Sequence, residues 1–265
     1  MTDAVLVKVD EHGVAEVCLN RPEKKNAWNL AVFDGLTEAA ETLANRDGLR
    51  AVILHGAGGV FSSGLDLSML MEFGADIEGL RRSILTPGPR GANRYQRPCT
   101  AWRDLSVPVI AAVDGVAFGA GMQLALAADF RIAAPDARFS IMEAKWGLIP
   151  DMGISQFLPG LMRADQAKEL IMSARVLSAT EAVSLGLVTR LDAAPLDAAR
   201  ALAADLSDRS PDALAGAKQL VDRVWALPPG EGLAIEAELQ AAIIGAPNQI
   251  EAVAAAVARR KPAFR

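Results

Sequence analysis

Cysteine is scarce in this chain, and that scarcity excludes several chemistries at once. Cys18 and Cys99 are the only two in 265 residues, one inside an expected strand and one in a proline-flanked loop. They provide neither a disulfide framework nor metal-ligand spacing, so both are read as reduced thiols and no metal is expected. Histidine is equally rare: His12 and His55 stand in no triad-like context and read as structural. A cationic excess is missing too. Lys and Arg total 27 against 32 Asp and Glu, giving a net charge of −5, which argues against a general nucleic-acid binder. The opening MTDAVLVKVDEHG has no basic stretch leading into an apolar one, so no secretory leader is expected and the location is read as cytoplasmic. The apolar run from Val109 to Ala128 contains Asp114 as its only charge, but Gly115, Ala117, Gly119, Ala120 and Gly121 interrupt it. A buried strand, turn and helix accounts for that run better than a membrane span, and no membrane partner is expected.

What is present is enough apolar material for a full core, 51% of the residues, at a length that fits one domain with a small appendage. Val5 to Val9 and Val14 to Asn20 are β-rich runs joined by Asp10-Glu11-His12-Gly13, a hairpin signal. Leu30 to Ala44 carries Leu30, Phe33, Leu36, Ala40 and Leu43 at helical spacing, and a buried-type strand follows from Ala51 to His55. From Met69 to Cys99 the spacing predicts a helix, a mobile loop around Pro87 to Gly91, and a return into helix, in the manner of a loop that lines a variable pocket. Further strands are expected at Val109–Val113 and Phe130–Ala133, with a helix from about Ala120 and another near Asp151. The alternation implies an α/β layer architecture.

Beyond Pro195 the character changes. Leu196 to Leu206, Pro211 to Trp225 and Leu233 to Ala258 are alanine-rich helical patterns. They suit packing against another subunit, or folding back on the chain's own core.

Three segments carry candidate chemistry. Gly115 to Gly121 places small residues where a helix begins, leaving backbone N–H groups free for an anion. No Lys-Ser/Thr follows for a P-loop, and Leu124 stands where a dinucleotide fingerprint needs its third glycine, which leaves an oxyanion or a tight packing turn. Phe61 to Leu67 brings a glycine into a loop after a strand; its serines do not form Gly-x-Ser-x-Gly, because position 60 is valine. Glu143 and Asp151 are two carboxylates in an apolar neighbourhood, where burial raises the proton affinity of a base. The alternatives are a surface pairing of Glu143 with Lys145 or Arg131, and a helix-capping role for Asp151 before Met152.

Taken together, Asn20-Arg21-Pro22 with Asn26-Ala27, the Phe61 to Leu67 segment, Pro108 to Gly121, Ala128-Asp129, Ala182 with Gly186-Leu187-Val188, and the closing Arg259 to Phe264 resemble the crotonase (enoyl-CoA hydratase/isomerase) superfamily over nearly the whole chain. The resemblance implies a crotonase-like spiral of ββα turns over residues 1–195 and a C-terminal α-helical trimerisation region over 196–265, assembled as a homotrimer or dimer of trimers. It implies an acyl-CoA thioester ligand, with coenzyme A part of the substrate and no separate cofactor. By position, the family's oxyanion hole falls on the backbone N–H groups of Ser63 and Ala120, so the Ser63 hydroxyl is not a nucleophile. Gln123 and Glu143 occupy the places of the two hydratase glutamates, and an amide can orient water but cannot take its proton. Glu143 matches the base of single-glutamate isomerases. Asp151 matches an aspartate of dienoyl-CoA isomerases and the nucleophile of aromatic acyl-CoA dehalogenases. Arg21 and Lys24 or Lys25 match positions that approach CoA phosphate or ribose, while Leu65, Asp66 and Leu67 flank the adenine. The expected activity is enoyl-CoA isomerisation with Glu143 as proton shuttle and Asp151 as acid, second base or water holder. The alternatives are hydration of a 2-enoyl-CoA, with Gln123 orienting water, and a non-catalytic acyl-CoA-binding protein.

Overall fold

The computed structural model describes residues 3–69, 71, 76–225, 227, 228 and 230–264. Strands β1 (Val5–Val9) and β2 (Val14–Leu19) form the expected antiparallel hairpin. Helix α1 (Leu30–Ala44) starts where the Asn29 side chain accepts from the Val32 N–H at 3.1 Å and ends at Asn45, with Val32, Phe33, Leu36, Ala39, Ala40 and Leu43 on its buried face. The apolar spacing and the capping residue therefore fix this helix together.

The chain then alternates between two sheets. Strands β3 (Ala51–Gly56) and β4 (Val109–Val113) extend the first sheet, β5 (Val116–Phe118) founds the second, and β6 (Phe130–Ala133) returns to the first. Strands β7 (Arg138–Ser140) and β8 (Leu177–Ser178) belong to the second sheet and β9 (Arg190–Leu191) to the first. The resulting orders are β1-β2-β3-β4-β6-β9 and β5-β7-β8, with parallel pairing except at β1/β2 and β7/β8. This repeated passage from one sheet to the other is the spiral that the resemblance implies.

Between β3 and β4 lie α2 (Ile77–Leu85) and the short α3 (Arg97–Thr100), separated by a 3-10 turn at Pro89–Gly91. Part of the expected Met69 to Cys99 region lies outside the described residues. Helix α4 (Ala120–Ala127) follows β5, and all eight of its residues are buried. All five residues of β4 are buried as well. A central parallel strand and a helix covered on every side have no polar face to show, which is why this stretch reads as one long apolar run.

After β7 come α5 (Ile154–Phe157), α6 (Ala164–Ser173) and α7 (Ala179–Ser184), followed by the tail helices α8 (Pro195–Ser207), α9 (Pro211–Val224), α10 (Glu231–Ile243) and α11 (Pro247–Ala258). The single run expected from Leu233 to Ala258 is thus two helices bent by 72°. Gly245, at φ +77°, supplies the left-handed turn, and Pro247 suits the first position of α11. Helix α8 lies on the first sheet: Ala199 and Ala203 are fully buried in one cluster with Ile53, Ile110 and Ile132. Helix α9 is tied to the core through Lys218, whose Nζ donates to Asp129 Oδ2 at 2.9 Å and to the Val107 carbonyl at 3.2 Å. Among the described residues no single helix is long and apolar enough to cross a membrane.

Candidate active site

The site forms where the 61–66 loop meets the start of α4. Gly119, at φ +50°, turns the chain from β5 into the helix, so the N–H of Ala120 in the first turn has no intrahelical acceptor. Gly64, at φ +93°, brings the loop against that turn: a Cβ there would lie 2.8 Å from the Phe118 carbonyl oxygen and 3.7 Å from the Ala120 nitrogen. Gly121 allows the same approach from the helix side, since its Cβ would meet that of Ser62 at 2.6 Å.

The loop's own N–H groups can be followed one by one. Phe61 donates to the Asp114 carbonyl, Ser62 to the Val116 carbonyl, Ser63 to the Lys25 carbonyl at 2.9 Å, and Gly64 to Ser62 Oγ at 3.1 Å. Asp66 donates to the Trp28 carbonyl, and Trp28 in turn donates to the Gly64 carbonyl. Trp28 thereby bridges the residues on either side of Leu65, and the Leu65 N–H, turned away from it, has no partner among the described residues. This corrects the expectation for Ser63. The unpaired donors flanking the junction are the N–H groups of Leu65 and Ala120, because the Ser63 N–H is taken by a neighbouring loop.

Gln123 lies one turn into α4 and is 1% exposed. Its Oε1 accepts from the Met152 N–H at 2.8 Å, and its Nε2 donates to Glu143 Oε1 at 2.7 Å. Glu143 begins a 3-10 turn, Glu143–Trp146, and its Oε2 is buried with no hydrogen-bond partner among the described residues. Burial raises its proton affinity most, the nearby Asp151 carboxylate adds to that, and the Gln123 bond acts against it. The surface pairing considered for Glu143 is not formed. Arg131 is buried and donates to the carbonyls of Leu187 and Ala128, and the Lys145 ammonium sits over the Trp146 ring.

Asp151 does not cap a helix, since α5 begins at Ile154 after Gly153. It stands at the cavity edge with its proton affinity raised by desolvation. Beneath the two carboxylates lies Cys99, whose thiol is pushed well up by burial and by the charges of Asp151 and Glu143. It stays protonated, as expected of a structural thiol.

Ser63, Leu65, Asp66, Leu67, Lys24, Ala120, Gln123, Glu143 and Asp151 all line one cavity of about 650 Å³. Arg21 and Lys25 do not. Arg21 Nη2 bonds Asp66 Oδ2 at 3.2 Å and Nη1 bonds the Ala27 carbonyl at 2.5 Å, so its charge joins two loops. Asp66 is held below the usual carboxylate range by Ser68 and by Arg21. Lys25 adopts φ +50° and contributes its carbonyl to Ser63. The Met69 to Cys99 region does line the cavity, through Ile77, Leu80, Ile84 and Tyr95, and the sequence did not single out Phe33, Met142 and Trp146, which line it too. The spacing of Ile77, Leu80 and Ile84, one face of α2, was the signal available within that region.

The sequence profile of the enoyl-CoA hydratase/isomerase family matches residues 10–265. The chain belongs to this family. Within the enoyl-CoA hydratase/isomerase family, it is 38% identical to the mitochondrial Delta(3,5)-Delta(2,4)-dienoyl-CoA isomerase of Mus musculus over 228 residues, covering 82% of this chain and 68% of that one. It is 33% identical to the probable enoyl-CoA hydratase echA8 of Mycobacterium tuberculosis over 264 residues, covering 99% and 98% of the two chains. The crystal structure of an enoyl-CoA hydratase from Polaromonas sp. JS666 superposes with a TM-score of 0.88 at 31% identity, covering 98% of this chain and 99% of that one. The fold is therefore the crotonase fold, and the family acts on acyl-CoA thioesters.

Proposed function

We propose that the protein shifts a double bond in an unsaturated acyl-CoA through a thioester enolate, with a 3,5-dienoyl-CoA as the substrate to test first. The observation that carries this reading is the commitment of Gln123 to Met152 and Glu143, which leaves two carboxylates of raised proton affinity, Glu143 and Asp151, on one cavity. One carboxylate removes a proton from the saturated carbon α to the thioester, and a protonated carboxyl group returns one at the far end of the dienolate so formed. Proton number balances and no water is consumed. The N–H groups of Leu65 and Ala120 receive the developing oxyanion, a role in which a single donor contributes about 3–4 kcal/mol. The dienoyl-CoA isomerase activity named for the Mus musculus relative agrees with this chemistry.

Hydration of a 2-enoyl-CoA is the second reading, favoured by the near-complete span shared with the probable hydratase of Mycobacterium tuberculosis. In it Glu143 or Asp151 supplies the proton chemistry, and Gln123, with one N–H on Glu143, has a second N–H to orient the water. We further propose that CoA enters as part of the substrate with no separate cofactor, that Lys24 meets its anionic portion, and that residues 196–265 support a homotrimer or dimer of trimers in the cytoplasm.

The test is turnover in heavy water of 2-enoyl-, 3-enoyl- and 3,5-dienoyl-CoA, with isomers separated by chromatography and weighed by mass spectrometry. A moved double bond without added water supports isomerisation. Gain of one water establishes hydration in its place, and binding without turnover points to the non-catalytic acyl-CoA-binding alternative.

A further inference from the structure

Helix α4 reads Ala-Gly-Met-Gln-Leu-Ala-Leu-Ala, and every residue of it is buried. A polar amide in that setting lowers stability unless its hydrogen bonds are met. Gln123 meets them with two partners of different kind, and the first dictates the second. A backbone N–H can only donate, so the atom facing Met152 at 2.8 Å has to be the amide oxygen. The atom facing Glu143 Oε1 at 2.7 Å then has to be the amide nitrogen, a donor. Glu143 Oε1 must offer it a lone pair, and a proton placed between the two would meet the amide hydrogen head-on. Glu143 Oε2, by contrast, is buried and has no protein partner among the described residues.

We infer that Gln123 is a positioning residue that selects the working oxygen of Glu143: Oε1 is kept as an acceptor, and the shuttled proton enters and leaves through Oε2. The inference rests on the proposed role of Glu143 as proton shuttle. The same amide reaches the backbone immediately after Asp151, so one side chain sets the position of one carboxylate and the main chain that carries the other. One titratable group acts on Glu143 from its surroundings, the Asp151 carboxylate ahead of α5; the Cys99 thiol on α3 feels both carboxylates and stays neutral. From α4 comes only the neutral amide. Burial and Asp151 oppose the ionised form of Glu143, while the backbone N–H groups of Glu143 and Met142 and, among side chains, the Gln123 amide favour it.

The test pairs a spectroscopic titration with kinetics. The carboxyl stretch of Glu143, assigned by its loss in Glu143→Gln, is followed against pH by infrared difference spectroscopy in unliganded wild type, Gln123→Met and Gln123→Glu. Turnover of a 3,5-dienoyl-CoA is measured across the same pH range. In Gln123→Met the Glu143 midpoint moves upward, and kcat falls about ten- to hundredfold while KM stays within about twofold. In Gln123→Glu, which keeps the shape and the acceptor for Met152, two carboxyl groups meet and share a proton, so the band titrates in two coupled steps with the upper one above the wild-type midpoint. An unchanged midpoint in folded Gln123→Met, or a single unshifted step in Gln123→Glu, overturns the inference and leaves Gln123 as packing. A wild-type protein that turns over no enoyl thioester while the infrared midpoint still shifts defeats the proposed function and supports the positioning role.

Discussion

Gly64 comes so close to Phe118 that a Cβ on the glycine would lie 2.8 Å from the Phe118 carbonyl oxygen. That approach holds the Leu65 N–H beside the start of α4, and Gly64 also needs its φ of +93°. Gly64→Ala is therefore expected to displace the loop and remove one oxyanion donor, lowering kcat by about 10²–10³-fold. Ser63→Ala should leave turnover within about twofold, because it keeps the backbone N–H on the Lys25 carbonyl and removes only a hydroxyl that reaches the Lys24 carbonyl at 3.4 Å. Steady-state kinetics on the two variants separates a role of the loop backbone from one of the Ser63 hydroxyl.

The free donor of that loop was out of reach in the sequence. The glycine-rich turn, the helix after it and the pairing of Glu143 with Asp151 could all be read from local spacing. Which loop N–H is free depends on a bridge to Trp28 and a bond to Lys25, contacts between segments far apart in the chain. Gln123 likewise could be placed on its helix, but its partners on the Glu143 and Met152 loops come from the crossing between the two sheets. Arg21 read as a loop cation free for phosphate, whereas Asp66 engages it. The α10–α11 break was signalled by Gly245 and Pro247, yet the alanine periodicity continues on both sides and hides it.

Glu143→Gln is expected to lower kcat by about 10²–10⁴-fold with little change in KM, and Asp151→Asn to do likewise if it serves as the second group. The effect on stability has the opposite sign. Burial raises the proton affinity of Glu143 in the folded state, so between its unfolded and folded pKa values the native chain binds more protons, and stability falls as pH rises through that window. Glu143→Gln removes this term. Its Tm should exceed that of wild type at pH 8, and the difference should shrink towards pH 4 as the unfolded chain becomes protonated too; thermal melts at the two pH values check this.

Helix α2 turns Ile77, Leu80 and Ile84 to the cavity, and none of its residues is fully buried. Its apolar face lines open cavity space, which a bound hydrocarbon chain would fill. Leu80→Ala should raise KM roughly tenfold for a long acyl-CoA, in line with the burial of a leucine side chain, while a four-carbon substrate changes little. An equal effect on both lengths would remove α2 from acyl recognition.

Arg21 and Lys24 should separate in their effects. Arg21→Ala leaves Asp66 and the Ala27 carbonyl without their donor and is expected to destabilise the fold by about 1–3 kcal/mol in denaturant melts. Lys24 lines the cavity, so Lys24→Ala should instead weaken CoA binding, with a loss that shrinks as salt is added. Calorimetric titration with CoA at two salt concentrations reads the difference.

The change of sequence character at Pro195 raises the question of whether residues 1–195 stand alone. Helix α8 begins at that proline, and Ala199 and Ala203 cover Ile53, Ile110 and Ile132 on the first sheet, all of them fully buried. Ending the chain at residue 195 would strip that face and expose a row of β-branched side chains on three neighbouring parallel strands, an aggregation hazard. The shortened chain is expected to be insoluble or to bind a hydrophobic dye strongly, whereas one ending at residue 210 retains α8 and should keep the sheet covered. Ala203→Leu tests the same contact in the full chain: overpacking there should cost about 1–3 kcal/mol. If the 195-residue chain melts cooperatively and stays monomeric, α8 belongs with the tail, and the sheet does not depend on it.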